Sequence, residues 1–152
     1  MKGIKIFAIL LALIICMLPV SAFASSETLP AGYSGNTNSL ITVKNPAAAT
    51  SSTANKFCVI SAVAVPGTKV TLYNFESSRG QYVKMYSDGR ALEAVVGAAG
   101  LYAQTVSLKN GANTILVVAS NGNSVETAKL DITVVKSEAS GNIINIWQTL
   151  IN

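Results

Sequence analysis

The chain reads as an all-β protein, a sandwich or barrel of about seven to eight short antiparallel strands. Three observations lead there. In LKNGANTILVVA (108–119) a turn dipeptide, Asn110-Gly111, opens a run that alternates between two faces. Asn113, Ile115, Val117 and Ala119 share one face; Thr114, Leu116, Val118 and Ser120 share the other. Turn signals recur along the chain at Pro66-Gly67, Asp88-Gly89, Asn110-Gly111 and Asn121-Gly122-Asn123. Between residues 40 and 136 no segment carries helical periodicity.

Taken in order, residues 40–44 form a first strand, ended by Asn45-Pro46, and the Ala/Ser/Thr run to Asn55 is a loop. Residues 57–64 form a second strand, with Cys58, Ile60, Ala62 and Ala64 on one face. Pro66-Gly67 fits a type II turn, which wants Pro first and Gly second. A third strand covers 68–75, with Val70 and Leu72 inward and Thr71, Tyr73 and Phe75 outward. A fourth covers 81–87, a fifth 91–96 and a sixth 101–108. The organising strand follows. The last covers 125–136, with Leu130, Ile132 and Val134 inward. Asn113 alternates with core residues, so its amide must find partners, and the Lys109–Gly111 turn is the nearest source.

The N-terminus carries an address. Lys2 and Lys5 precede an apolar run from Ile6 to Leu18, Pro19 ends it, and Ala22-Phe23-Ala24 places small residues where a signal peptidase reads them. A run of about 13 residues is short against the roughly 20 that span a bilayer. Residues 1–24 are therefore a secretory signal peptide, cleaved after Ala24. Leu13-Ile14-Ile15 before Cys16 lacks the small residue expected of a lipidated cysteine. Removing Lys2 and Lys5 from a net charge of +4 leaves +2, too weak and scattered for nucleic acid. Cys58 is then the only thiol, so no intrachain disulfide forms.

Both ends of the mature chain differ from its middle. Residues 25–39 are rich in Ser, Gly, Asn and Thr and read as a flexible leader. Residues 137–141 read as a linker. Beyond it Ile143, Ile146, Trp147, Leu150 and Ile151 fall at helical spacing, with an uncharged polar face opposite. So short an amphipathic helix must dock on something: its own domain, a partner or a lipid surface. The absence of Lys and Arg on its polar face argues against anionic membranes.

Three segments together resemble bacterial Ig-like domains of secreted and surface proteins: ISAVAVPGTKVTLY (60–73), GLYAQTVSLKNGANTILVVAS (100–120) and LDITVV (130–135). The family pattern Leu-x-x-Gly-x-Asn-x-Ile-x-Val-x-Ala falls on Leu108, Gly111, Asn113, Ile115, Val117 and Ala119. One departure is Ala62, where the family usually has Gly. The resemblance covers residues 40–136. It implies an Ig-like β-sandwich whose jobs are spacing, adhesion and support of neighbouring catalytic or sugar-binding domains. It also implies that the third, seventh and eighth strands form one sheet, with Tyr73, Phe75, Leu116, Val118 and Val135 on its outer face.

Chemistry is scarce. The chain has no His, the commonest base and metal ligand, so no Ser or Cys nucleophile has a partner. Asp88 and Glu93 flank a turn and read as solvated rather than as a glycosidase pair. Asp88 and Asp131 are the only aspartates, too few for calcium. Cys58 reads as a small buried hydrophobe. The outer face has three readings: the tail helix covers it, a protein partner or neighbouring surface component covers it, or Tyr73, Phe75, Tyr82 or Tyr86 stack on sugar rings. The expectation is a secreted, non-enzymatic module for protein interaction, adhesion or spacing at the bacterial cell surface, without cofactor or metal. The alternative is a carbohydrate-binding accessory module recognising cell-wall or other polysaccharide.

Overall fold

The computed structural model describes residues 25–135. The expected signal peptide (1–24) and the tail (137–152), with Ile143, Ile146, Trp147, Leu150 and Ile151, lie outside the described residues. Within them the protein is all-β, with twelve strands and no helix.

The largest sheet has seven strands. Its centre is β11 (Gly111–Asn121), paired antiparallel with β12 (Ser124–Val134) on one side and β5 (Lys69–Glu76) on the other. The far edge of β5 is shared. β6 (Gln81–Lys84) takes its second half and β9 (Glu93–Val95) its first. Between them the chain leaves the sheet as a small hairpin, β7 (Tyr86–Ser87) and β8 (Arg90–Ala91). Its turn residues Asp88 and Gly89 both have positive φ, 50° and 73°, the pairing a type I′ turn requires. The sheet ends at β1 (Thr28–Pro30) beyond β6 and at β3 (Thr50–Thr53) beyond β12. A second sheet has three strands in the order β10 (Leu101–Ser107), β4 (Phe57–Ala64), β2 (Ile41–Asn45).

The two sheets bury one core between them. Ile60 and Ala62 of β4 and Val106 of β10 meet Val70 and Leu72 of β5, Ile115 and Val117 of β11, and Ile132 of β12. Ile60, Leu72, Ile115 and Val117 have no exposure at all. Each such side chain contributes about 1.5–3 kcal/mol of burial. The alternation of the sequence sets this packing: every second residue of β5 and β11 enters the core, and one step of slippage would expel them all.

The expected strands 81–87 and 91–96 each divide, β6 from β7 and β8 from β9, and two further segments depart from their sequence-based reading. Residues 25–39 are not a free leader: β1 pairs with β6 in the register Leu29↔Tyr82, and Leu29 is buried. The backbone of 35–37 lies against the start of β12. Asn36 N and Thr37 N donate to the Val125 carbonyl at 2.8 and 3.1 Å, and Val125 N donates to Asn36 Oδ1 at 2.7 Å. A Cβ on Gly35 would overlap the Val125 carbonyl oxygen, so only glycine permits this approach. The expected loop before Asn55 contains β3, which runs parallel to β12 with Thr50 opposite Asp131 and Thr53 opposite Val134. An all-Ser/Thr strand shows no apolar alternation; it is held by its ladder, as an edge strand can be.

Candidate interaction surfaces

β5, β11 and β12 are neighbours, and their second face carries its own apolar cluster. Tyr73 and Leu116 are direct cross-strand partners, and Val118 lies opposite Thr71. Tyr73, Leu116 and Val118 are 1%, 3% and 8% exposed. Phe75 packs partly buried on the same cluster, its ring edge-on to Tyr82 with centroids 5.1 Å apart. Val135 is not part of it: it is exposed, beyond the end of β12, with its N–H on Thr53 O. Tyr73, Leu116 and Val118 are therefore not open to a partner. Leu29 completes the cluster, and Tyr33 packs against it. Among the described residues the cover is their first segment, which carries Leu29 and Tyr33.

The cover is fastened by polar contacts. Tyr73 donates its hydroxyl to the Ser26 carbonyl at 2.8 Å. Lys84, with a side chain only 6% exposed, donates to the Ser25 carbonyl at 2.6 Å and to Glu27 Oε1 at 2.8 Å. A buried ammonium needs such partners, and this segment supplies both. The Tyr86 hydroxyl donates to Glu27 Oε2 at 2.6 Å. The Lys84 hydrogen bond, then that of Tyr86, holds the Glu27 carboxyl below the usual range; the same bond to Glu27 pushes the Tyr86 phenol up.

The open apolar surface is elsewhere, on the outer face of the three-stranded sheet. Phe57, Val59, Val63 and Leu101 are 64%, 46%, 45% and 68% exposed. Leu101 lies opposite Val63, Thr105 opposite Val59 and Ser107 opposite Phe57. Neither β4 nor β10 contains a charged residue. A contiguous uncharged strip of this kind marks an interaction surface more than scattered exposure does. Alternation alone could have found it, since FCVISAVA is apolar on both faces.

Of the aromatic residues considered for sugar stacking, Tyr73 and Tyr82 are buried, Phe75 is half-buried and Tyr86 is exposed. Tyr86 borders a cleft of about 290 Å³ whose other walls include Asn74, Glu76, Lys84 and Lys109.

The remaining candidates have structural surroundings. Asn113 Oδ1 accepts from Lys109 N at 2.8 Å; its Nδ2 donates to Lys109 O at 2.8 Å, Gly111 O at 3.0 Å and Ile132 O at 3.3 Å. Gly111 has φ +84° and Gly67 φ +82°. Thr68 N donates to Val65 O across the Pro66-Gly67 turn at 3.1 Å. Cys58 shares the inward parity of β4 but is half-exposed, near the start of the strand, and partial burial raises its thiol pKa. Among the described residues no group of three His, Cys, Asp or Glu side chains is placed to hold a metal ion.

No family model matches the chain, and no curated protein matches it. Among solved structures, a similarity is found to an FMN-binding beta-glucuronidase from Facaelibacterium prausnitzii L2-6. The two chains are 14% identical over 68% of this chain and 13% of that one, with a TM-score of 0.39, a likeness too slight to bear on fold or activity.

Proposed function

We propose that the chain is a secreted, non-enzymatic Ig-like module that works by protein contact, in adhesion or spacing at the bacterial cell surface. Two sheets around one core, with β5, β11 and β12 adjacent, support the Ig-like sandwich. The basic–apolar–Ala-x-Ala order of residues 1–24 supports export. The observation that carries the binding role is the open strip of Phe57, Val59, Val63 and Leu101. A partner for it is itself a protein surface with an uncharged apolar centre, because a charge pressed onto this strip would lose its water with no ion-pair partner on β4 or β10. Labelled protein should bind cells of the producing bacterium saturably, and protease treatment of the cells should abolish binding. A Phe57→Glu/Leu101→Glu double variant should bind about tenfold more weakly. Equal binding by both proteins would remove the strip from the function.

The Tyr86 cleft favours a second reading, a carbohydrate-binding accessory module. One exposed aromatic ring beside amide, carboxylate and ammonium groups is the minimum for holding a sugar. In that case protease-treated cell walls should still retain the protein, and Tyr86→Ala should release it.

A further inference from the structure

Ser25 sits in a polar seat at the start of the described chain. Its hydroxyl donates to Glu93 Oε2 at 2.6 Å, and its carbonyl accepts from Lys84 Nζ at 2.6 Å. Lys69 meets the same Glu93 oxygen at 3.2 Å. In the sequence Ser25 directly follows Ala22-Phe23-Ala24. The residue expected to come first after cleavage is thus already held by two strands of the large sheet, β6 through Lys84 and β9 through Glu93. Within one serine the backbone nitrogen lies about 3–4 Å from its own Oγ, whichever rotamer is taken. The Ser25 nitrogen is therefore within roughly 6 Å of the Glu93 carboxylate, a distance at which an opposite charge acts strongly.

We propose that Glu93 is the counter-ion of a free α-ammonium on Ser25, created when residues 1–24 are removed. This rests on the export reading above. Hydrolysis of the Ala24–Ser25 amide by a signal-peptidase-type hydrolase consumes one water. It leaves a carboxylate on Ala24 and an amine on Ser25, which takes up a proton at neutral pH. Before cleavage the same nitrogen is an uncharged amide. Processing therefore turns a neutral group beside Glu93 into a cation. The groups around the seat are Glu93 of β9, Lys69 and Tyr73 of β5, Lys84 of β6, Tyr86 of β7 and Glu27. Two carboxylates and two lysines leave the seat neutral before cleavage, so the new ammonium shares Glu93 with Lys69 and draws on that carboxylate against the nearby Lys84. A carboxylate offers about four acceptor positions, and on Glu93 the Ser25 hydroxyl and Lys69 take two. Cleavage then fastens the segment that carries Leu29 over Tyr73, Leu116 and Val118, so the mature domain is closed more firmly than its precursor.

The test uses the full chain, expressed with its own residues 1–24 and collected from the medium. Intact mass reads the first residue. An α-amine-selective acylating reagent is then applied near pH 7, to folded protein and in urea. The product should begin at Ser25, and the folded amine should react at least about tenfold more slowly, since each unit of raised amine pKa removes tenfold of the reactive neutral form. Glu93→Gln should bring the folded rate close to the rate in urea, and Glu93→Asp should keep most of the protection. Glu93 lies on a short, exposed strand, so neither change opens the core. Equal rates in folded and unfolded wild type would overturn the seat and leave export standing. Protection that survives Glu93→Gln would overturn the counter-ion role. A product that keeps Met1 or starts elsewhere would overturn the cleavage reading, and this proposal with it.

Discussion

Leu116 on β11 and Val59 on β4 occupy equivalent positions: each is an aliphatic residue on the outward face of a strand whose inward face lines the core. Leu116 is 3% exposed and Val59 46%. The difference comes from what lies above them. Over Leu116 the chain returns its own residues 25–36, with Leu29 buried against Tyr73 and Tyr82. Over Val59, among the described residues, nothing returns. Two-sided apolar alternation thus marks a strand whose second face needs a cover. Whether the cover comes from the same chain is decided elsewhere, by residues such as Gly35 and Asn36 that let the first segment lie down.

Carboxylates introduced at the two positions should separate the faces most. Leu116→Asp buries an unpaired charge and should cost more than about 4 kcal/mol in urea denaturation. Val59→Asp should change stability by no more than about 0.5 kcal/mol. A cost above about 2 kcal/mol for Val59→Asp would mean that the open face is covered in solution, and the contrast would collapse.

Truncating the cover comes next. Leu29→Ala should cost about 2–3 kcal/mol, the low end for a buried leucine because a site at the sheet edge can partly collapse. Indifference to this change would show that the first segment does not seal the face. Asn113→Leu tests whether the inward face depends on its turn rather than on any cover. Lys109 and Gly111 backbone groups would lose their partner, for about 1–3 kcal/mol. That loss should be the same with Leu29 or Ala at position 29, which a double-mutant cycle reads directly.

The smallest effect is electrostatic. The folded-state pKa of Glu27 is depressed, by Lys84 first and Tyr86 second. Its contribution is then present above the unfolded value of about 4.3 and is lost as pH falls through the folded one. Wild type should exceed Glu27→Gln in melting temperature at pH 7, and the gap should close as pH falls below about 4. A gap that persists in acid would place the contribution of Glu27 outside its charge.

How much of this was legible varies with the physics of each element. The parity of β5, with Val70 and Leu72 on one side and Tyr73 and Phe75 on the other, follows from alternation, because a strand has no third choice. The inward position of Asn113 follows in the same way. β1 was hidden because Thr28-Leu29-Pro30 is three residues long in a polar stretch, and a composition average erases a single buried leucine. Gly35 was the one local signal, and a glycine's close approach is visible only once its neighbour is known. β3 was hidden because Thr and Ser carry no inside–outside contrast; its place depends on the ladder of β12. The open and covered faces could not be told apart, since both read simply as apolar.

The pairing of β1 and β3 also sets an order in time. Thr28–Pro30 is among the first described residues to leave the ribosome, yet its register partners Gln81–Val83 follow much later, and Leu116 and Val118 later still. Thr50–Thr53 likewise waits for Asp131–Val134. A chain made from its N-terminus forward therefore carries Leu29 unsheltered through most of synthesis. Closure of that face is a late event, governed by long-range pairing rather than by local turns. In a pulse-labelled folding experiment, amides of β11 and β12, joined through Gly122-Asn123, should gain protection before those that join β1 to β6.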